Sequence, residues 1–161
     1  DRYASRGLGD VYKRQIEDDA FVFFTNYGSK KAKEAFLTNK VAFNIHWKSL
    51  RRQIRVRGHV EKEDGVIADQ YFSRREIGSQ AAAWASKQSE TLSDRQELIE
   101  RWQSYQNEYK GKFVRPSFWG GIRIKPIQIE FWADGQYRLH DRFVWQRALG
   151  GKGWSMRRLY P

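Results

Sequence analysis

Gln53-Ile54-Arg55-Val56-Arg57-Gly58-His59-Val60 alternates polar and apolar side chains. A period of two predicts a β-strand with one face buried and one wet. Upstream, Val41-Ala42-Phe43-Asn44-Ile45-His46-Trp47 reads as a neighbouring strand, and Phe21-Val22-Phe23-Phe24-Thr25 as a short buried one. Between them, Asn26-Tyr27-Gly28-Ser29 is a turn, and Ser29 can cap a helix from Lys30 to Thr38. Downstream the period changes. Asp64 to Arg75 carries Val66, Ile67, Tyr71 and Phe72 at helical spacing, and Ser79 to Ala85 is a second, shorter helix. Ser93 with Gln96 fits a capping box, and Leu98, Trp102, Tyr105 and Tyr109 share one helical face up to Gly111. Strands return at Gly121–Lys125, Ile127–Trp132 and Arg142–Gln146, with a last one over Trp154–Leu159. Strand-rich ends around a helical middle predict a mainly β, α+β fold, a small barrel with peripheral helices.

The length of 161 residues suits one domain, and no repeat or linker divides it. Asp1 to Gln15 stands apart, with weak periodicity and mixed polar residues. The absence of cysteine excludes disulfides, thiolate catalysis and cysteine-zinc sites. No apolar run approaches the roughly 20 residues of a membrane helix. The polar, charged start is unlike a secretory signal. A cytoplasmic protein without a membrane partner is expected. The net charge of +11 suits nucleic acid, an anionic membrane or phosphorylated small molecules. The bases are interspersed with acids, and no run of like charges forms a nucleic-acid tail. No nucleic-acid partner is expected. His46, His59 and His140 lack metal-ligand spacing and a carboxylate cluster, so no metal site is expected.

Four groups of residues carry chemistry. Gly28-Ser29-Lys30-Lys31 joins a strand to a helix, where backbone N–H groups and two ammonium groups can seat a phosphate. It lacks the glycine spacing of a P-loop. Gln88-Ser89 can bind ribityl or phosphate oxygens, although taken alone an ordinary loop explains it. Tyr71, Arg75 and Ser79 would share a face of one continuous helix and suit a phosphate; a half-buried tyrosine beside an exposed arginine is the plainer alternative. Arg138, His140 and Arg142 alternate, so an extended segment would point all three one way. Three bases on one face repel unless an anion sits among them; a basic edge strand is the alternative.

The segments Phe24-Thr25-Asn26-Tyr27-Gly28-Ser29-Lys30-Lys31, Arg52-Gln53, Tyr71-Phe72-Ser73-Arg74-Arg75, Trp84-Ala85-Ser86-Lys87-Gln88-Ser89, Pro116-Ser117-Phe118-Trp119-Gly120-Gly121, Gln128-Ile129-Glu130-Phe131-Trp132 and Arg138-Leu139-His140-Asp141-Arg142 fall in an order and spacing that resembles the pyridoxine/pyridoxamine 5'-phosphate oxidases. The resemblance runs from Ile16 to Pro161 and implies a single split β-barrel domain that dimerises with FMN between the chains. It implies oxidation of pyridoxamine or pyridoxine 5'-phosphate to pyridoxal 5'-phosphate, with dioxygen reduced to hydrogen peroxide. By motif match it implies FMN contacts from Phe24, Thr25, Lys30, Lys31, Gln53, Gln88, Ser89, Trp132 and Arg142. Tyr71, Arg75 and Ser79 would hold the substrate phosphate, with Arg14 at the position of a substrate-contacting lysine. Arg138 and His140 would bind the substrate and place its C4' carbon over the flavin, as the catalytic pair.

Two departures stand out. The family has Ser-Arg-Lys where this chain has Ser29-Lys30-Lys31, and lysine keeps the charge without the bidentate fork. The family's Arg-Met-Val-Leu-Leu-Lys strand is replaced by Gly9-Asp10-Val11-Tyr12-Lys13-Arg14, so residues 1–15 read as a foreign stretch before an N-terminally truncated domain. The competing reading is a non-catalytic barrel that binds a flavin, pyridoxal phosphate or nucleic acid.

Overall fold

The computed structural model describes residues 15–17 and 20–161, with side chains from Ala20 onward. Arg14, the expected substrate contact, lies outside the described residues. Strands β1 (Gln15–Glu17) and β2 (Ala20–Asn26) lead to helix α1 (Lys30–Thr38), then β3 (Val41–Trp47) and β4 (Arg52–Glu63). Helices α2 (Val66–Ser73), α3 (Ile77–Ala85) and α4 (Arg95–Tyr109) form the middle. The chain closes with β5 (Trp119–Ala133), a 3₁₀ turn (Gln136–Arg138), β6 (Asp141–Gln146) and β7 (Ser155–Arg158).

All the pairings are antiparallel, in the order β1-β2-β5-β4-β3, with β6 on β5 and β7 on β6. One edge of β5 pairs with β4 along nearly its whole length. Its other edge is shared: residues 119–124 take β2 and residues 128–133 take β6. The sheet therefore forks about β5, giving the split barrel that the family resemblance implies.

The pattern of two strands broken at Pro126 becomes one strand here. Proline has no N–H to give a ladder, and the β4 register shifts opposite it, between Arg57 and Gly58. A Cβ at Gly58 would collide with the Lys125 carbonyl, so the bulge and the glycine belong together.

Two apolar layers flank the sheet. Ala32, Ala35, Val60, Ile122 and Ile124 pack under α1, with Phe21, Phe23 and Phe43. Val22, Phe24, Ala68, Phe72, Ala83 and Trp119 pack on the other side, under α2 and α3. Ser29 caps α1 as expected, accepting from the Ala32 N–H. The cap of α4 is Asp94 rather than Ser93: the Asp94 carboxylate accepts from the Gln96 N–H, while the Ser93 hydroxyl donates to Glu97. α4 ends where Lys110 and Gly111 turn left-handed.

Candidate functional site

The first group of candidate residues gathers where β2 ends beside α2 and α3. Phe24 stacks on Tyr71 with ring centroids 3.9 Å apart and planes 9° apart, and Trp119 continues the stack at 5.7 Å from Phe24. The guanidinium of Arg75 lies 4.8 Å from the Trp119 ring. Its Nε and Nη1 are buried without a hydrogen-bond partner among the described residues. Burial pulls the Arg75 pKa below the ordinary arginine range, and Tyr71 acts in the opposite sense. A delocalised cation on an indole, with two unsatisfied donors, calls for an oxyanion.

Tyr71, Arg75 and Ser79 do not share one helix. α2 ends at Ser73 and α3 starts at Ile77, which puts Arg75 in the break. The Gln80 side chain holds the break open, donating to the carbonyls of Ser73 (3.3 Å) and Arg75 (2.7 Å). Arg75 thus turns inward onto Trp119, and Ser79 sits in the first turn of α3 with its N–H bonded to the Glu76 carbonyl.

Gln88 and Ser89 lie in a loop that crosses the end of β2. The Thr25 hydroxyl and the Asn26 N–H both donate to Gln88 Oε1, each at 3.3 Å. Asn26 Nδ2 donates to the Ser86 carbonyl. Ser89 has φ +74°, a left-handed backbone costly for a side-chain-bearing residue and common at functional sites. Lys30 and Lys31 occupy the first turn of α1 just beyond. Lys30 is exposed beside Glu34, and the Lys31 ammonium lies 5.6 Å from the Phe23 ring. Hydroxyl, amide and ammonium groups form a donor set suited to a phosphate and a polyol.

The second group lies on the opposite reach of the sheet. Gln53, Trp132 and Arg142 are consecutive cross-strand partners on β4, β5 and β6 and share one face. The His140 ring is 4.7 Å from Trp132. The expected extended run through Arg138, His140 and Arg142 is corrected. Tyr137 and Arg138 have φ +55° and +66°, and Leu139, at φ −78° and ψ 68°, centres an inverse γ-turn that bonds His140 N–H to the Arg138 carbonyl. Gly135 permits this tight path, since a Cβ there would meet the Leu139 carbonyl.

Two of these bases have acidic partners of their own. Arg142 Nε lies 2.8 Å from Glu130 Oε1, and this bond raises the Arg142 pKa above its ordinary value. His140 Nδ1 lies 3.1 Å from Asp134 Oδ1 and 3.2 Å from the Gly135 nitrogen. A neutral ring can accept from Gly135, and a protonated one can donate to Asp134. Glu130, quoted only within a motif, and Asp134 have no role in the sequence-based expectations. The strand alternation carries a signal for Glu130, two residues before Trp132 on the same face; Asp134 next to a turn glycine carries none.

Within the chain the two groups stand at opposite ends of β5. Phe24 pairs with Gly121 and Gln53 with Trp132. Those two β5 positions are eleven residues apart, about 35 Å along a strand.

A family model described as pyridoxamine 5'-phosphate oxidase matches residues 5–106, and one described as the pyridoxine 5'-phosphate oxidase C-terminal dimerisation region matches residues 119–161. A pyridoxine/pyridoxamine 5'-phosphate oxidase of Cereibacter sphaeroides is 53% identical over 151 residues, covering 94% of this chain and 76% of the relative. One from Roseobacter denitrificans is 54% identical, covering 94% and 75%. Among solved structures, PhzG from Burkholderia lata, in complex with tetrahydrophenazine-1-carboxylic acid, superposes with a TM-score of 0.84 at 28% identity, over 91% of this chain and 71% of its own. A pyridoxamine 5'-phosphate oxidase-related, FMN-binding protein from Nostoc punctiforme shares the fold, with a TM-score of 0.65 at 12% identity over 88% and 72%. Two family models that together span most of the chain, and relatives more than half identical to it, make this chain a member of the pyridoxine/pyridoxamine 5'-phosphate oxidase family.

Proposed function

We propose that the chain oxidises pyridoxamine or pyridoxine 5'-phosphate to pyridoxal 5'-phosphate as a homodimer. The observation that carries this reading is Arg75, buried on Trp119 with two N–H groups unsatisfied beside Tyr71. Its cofactor is FMN, which would supply a two-electron acceptor for the hydride of the substrate C4' carbon and, through dioxygen, its own reoxidation to give hydrogen peroxide; with the amine substrate, water would hydrolyse the resulting imine and ammonia would leave.

The residues divide the work by position. Arg75, Tyr71 and Ser79 grip the substrate phosphate, with Phe24 and Trp119 walling the stack. Gln88, Ser89, Lys30 and Lys31 offer amide, hydroxyl and ammonium donors to the phosphate and polyol chain of FMN, and Thr25, whose hydroxyl donates to Gln88, presents an acceptor oxygen beside them. Gln53, Trp132 and Arg142 present a tryptophan face and two donor groups to its remainder. Arg138 and His140 orient the pyridine ring, and His140 can hold a proton against Asp134. Because the two groups lie about 35 Å apart along β5, each site combines one group from one copy with the other group from its partner. The match of residues 119–161 to a dimerisation region supports that arrangement.

PhzG favours a second reading, since its bound ligand is named a carboxylic acid and a carboxylate could also engage Arg75. A visible spectrum taken before and after anaerobic addition of pyridoxamine 5'-phosphate separates them. Flavin bands that bleach and return in air are expected. Bands unmoved by the phosphorylated amine would leave a flavoprotein of another substrate, and a chain colourless after FMN is supplied would sink the proposal.

A further inference from the structure

Glu130 and Arg55 face each other across β5 and β4, one step along the same face from Gln53 and Trp132. Glu130 is 5% exposed, so its charge demands partners. Its Oε1 lies 2.8 Å from Arg142 Nε and 3.6 Å from an Arg55 Nη1. Arg55 in turn donates from Nε to Gln53 Oε1 at 2.5 Å. Arg142 also donates from Nη1 to the Tyr160 carbonyl at 3.0 Å.

This chain of contacts settles an ambiguity that every glutamine carries. A carboxamide presents an acceptor at one corner and a donor at the other, and a flip exchanges them. Arginine has donors only, so the Gln53 oxygen must face Arg55. The Gln53 NH₂ is then turned away, and no described residue accepts from it. Arg142 likewise spends Nε and one Nη1 hydrogen on protein acceptors, leaving Nη2 as donor. What remains on this face is a pair of donors with no acceptor between them.

We propose that Glu130 is the positioning residue of this half-site: directly through Arg142, and through Arg55 onto Gln53, it fixes two donors toward a ligand edge that carries only acceptors. The inference rests on the reading above, in which Gln53 and Arg142 contact FMN. It adds two residues, Glu130 and Arg55, that need not touch the ligand, and it states the polarity of the edge they select.

The test is FMN affinity, measured by fluorescence quenching on the deflavinated full chain, with the melting temperature of the same apo samples alongside. Arg55 is half exposed, so Arg55→Met leaves the buried Glu130–Arg142 pair in place and the apo melting temperature nearly unchanged. Freeing the Gln53 amide weakens FMN roughly tenfold, as does Gln53→Ala, in keeping with one hydrogen bond to the ligand. The double variant is no weaker than Gln53→Ala, because Arg55 acts through Gln53. Additive losses, or an Arg55→Met chain that binds FMN as the parent does while Gln53→Ala is weakened, would overturn the proposal. An unaffected Gln53→Ala would instead overturn the flavin reading of Gln53, and this inference with it. For Glu130 itself, Glu130→Gln keeps the shape and lowers FMN affinity, and adding Gln53→Ala to it costs less than Gln53→Ala costs the parent. An equal cost in both backgrounds removes Glu130 from the relay.

Discussion

Arg75 shows what a ligand site costs while it waits. Its guanidinium is packed on Trp119 with two N–H groups unsatisfied, and burial disfavours its charge. Removing that charge relieves the unliganded fold. Arg75→Met is therefore expected to melt at or above the parent temperature. Loss of its charge-assisted bonds should raise KM for pyridoxamine 5'-phosphate on the order of a hundredfold. A calorimetric scan paired with steady-state kinetics checks both; a large drop in melting with KM unchanged would make Arg75 a structural residue. Spacing and the motif match both group Tyr71, Arg75 and Ser79, but the helical spacing is not what arranges them. A shared face needs one continuous helix, whereas two are expected and found, and the break held by Gln80 is what turns Arg75 inward. Glu130 and Asp134 stayed hidden because an acidic residue in a strand or turn reads as solvent-facing until the register shows which bases stand opposite it.

At the scale of elements, the turn after β2 is bound to the sheet by one phenol. Tyr27 Oη lies 3.2 Å from the carbonyls of both Glu63 and Gly121, joining α1's approach to β4 and β5. Burial first, and Asp64 next, push its pKa well above the ordinary tyrosine range. The neutral phenol is thus the folded form. Its contribution is complete below the unfolded value of about 10 and declines as pH rises from there toward the folded value. Denaturant unfolding at pH about 9 and about 11 should show a loss of stability that is smaller in Tyr27→Phe, because that variant has no such proton to lose. An equal loss in both proteins would assign the alkaline sensitivity to other groups. The strands and helices around this turn were legible because their periods are clean and Ser29 is a strong cap. Where neighbours decide, the reading failed. Pro126 breaks a pattern but not a strand, since Gly58 yields a bulge opposite it. The Arg138–Arg142 run alternates in sequence, yet Gly135 lets it fold into successive turns.

For the whole molecule, the proposed reading makes each site a shared possession of two copies, because its two groups stand at opposite ends of β5. Mixing Lys31→Ala chains with Gln53→Ala chains tests this. Each variant damages a different half, so a mixed dimer has one site built from two intact halves and one from two damaged halves. Random reassortment should restore about a quarter of the parent's activity. No recovery after verified exchange would place both halves in one chain. Little of this was readable from the residues in isolation. The motifs nominate side chains for a site, but their proposed distribution over two copies depends on the length of β5.

That length has one more consequence. On the proposed reading β5 starts in one site and finishes in the other, so a substitution along it is felt in both sites, at opposite ends. A drift that improves the grip at Trp119 travels with whatever it does at Trp132, eleven residues away. The two chemical tasks are therefore inherited as one, and the sheet accepts only changes that both can tolerate.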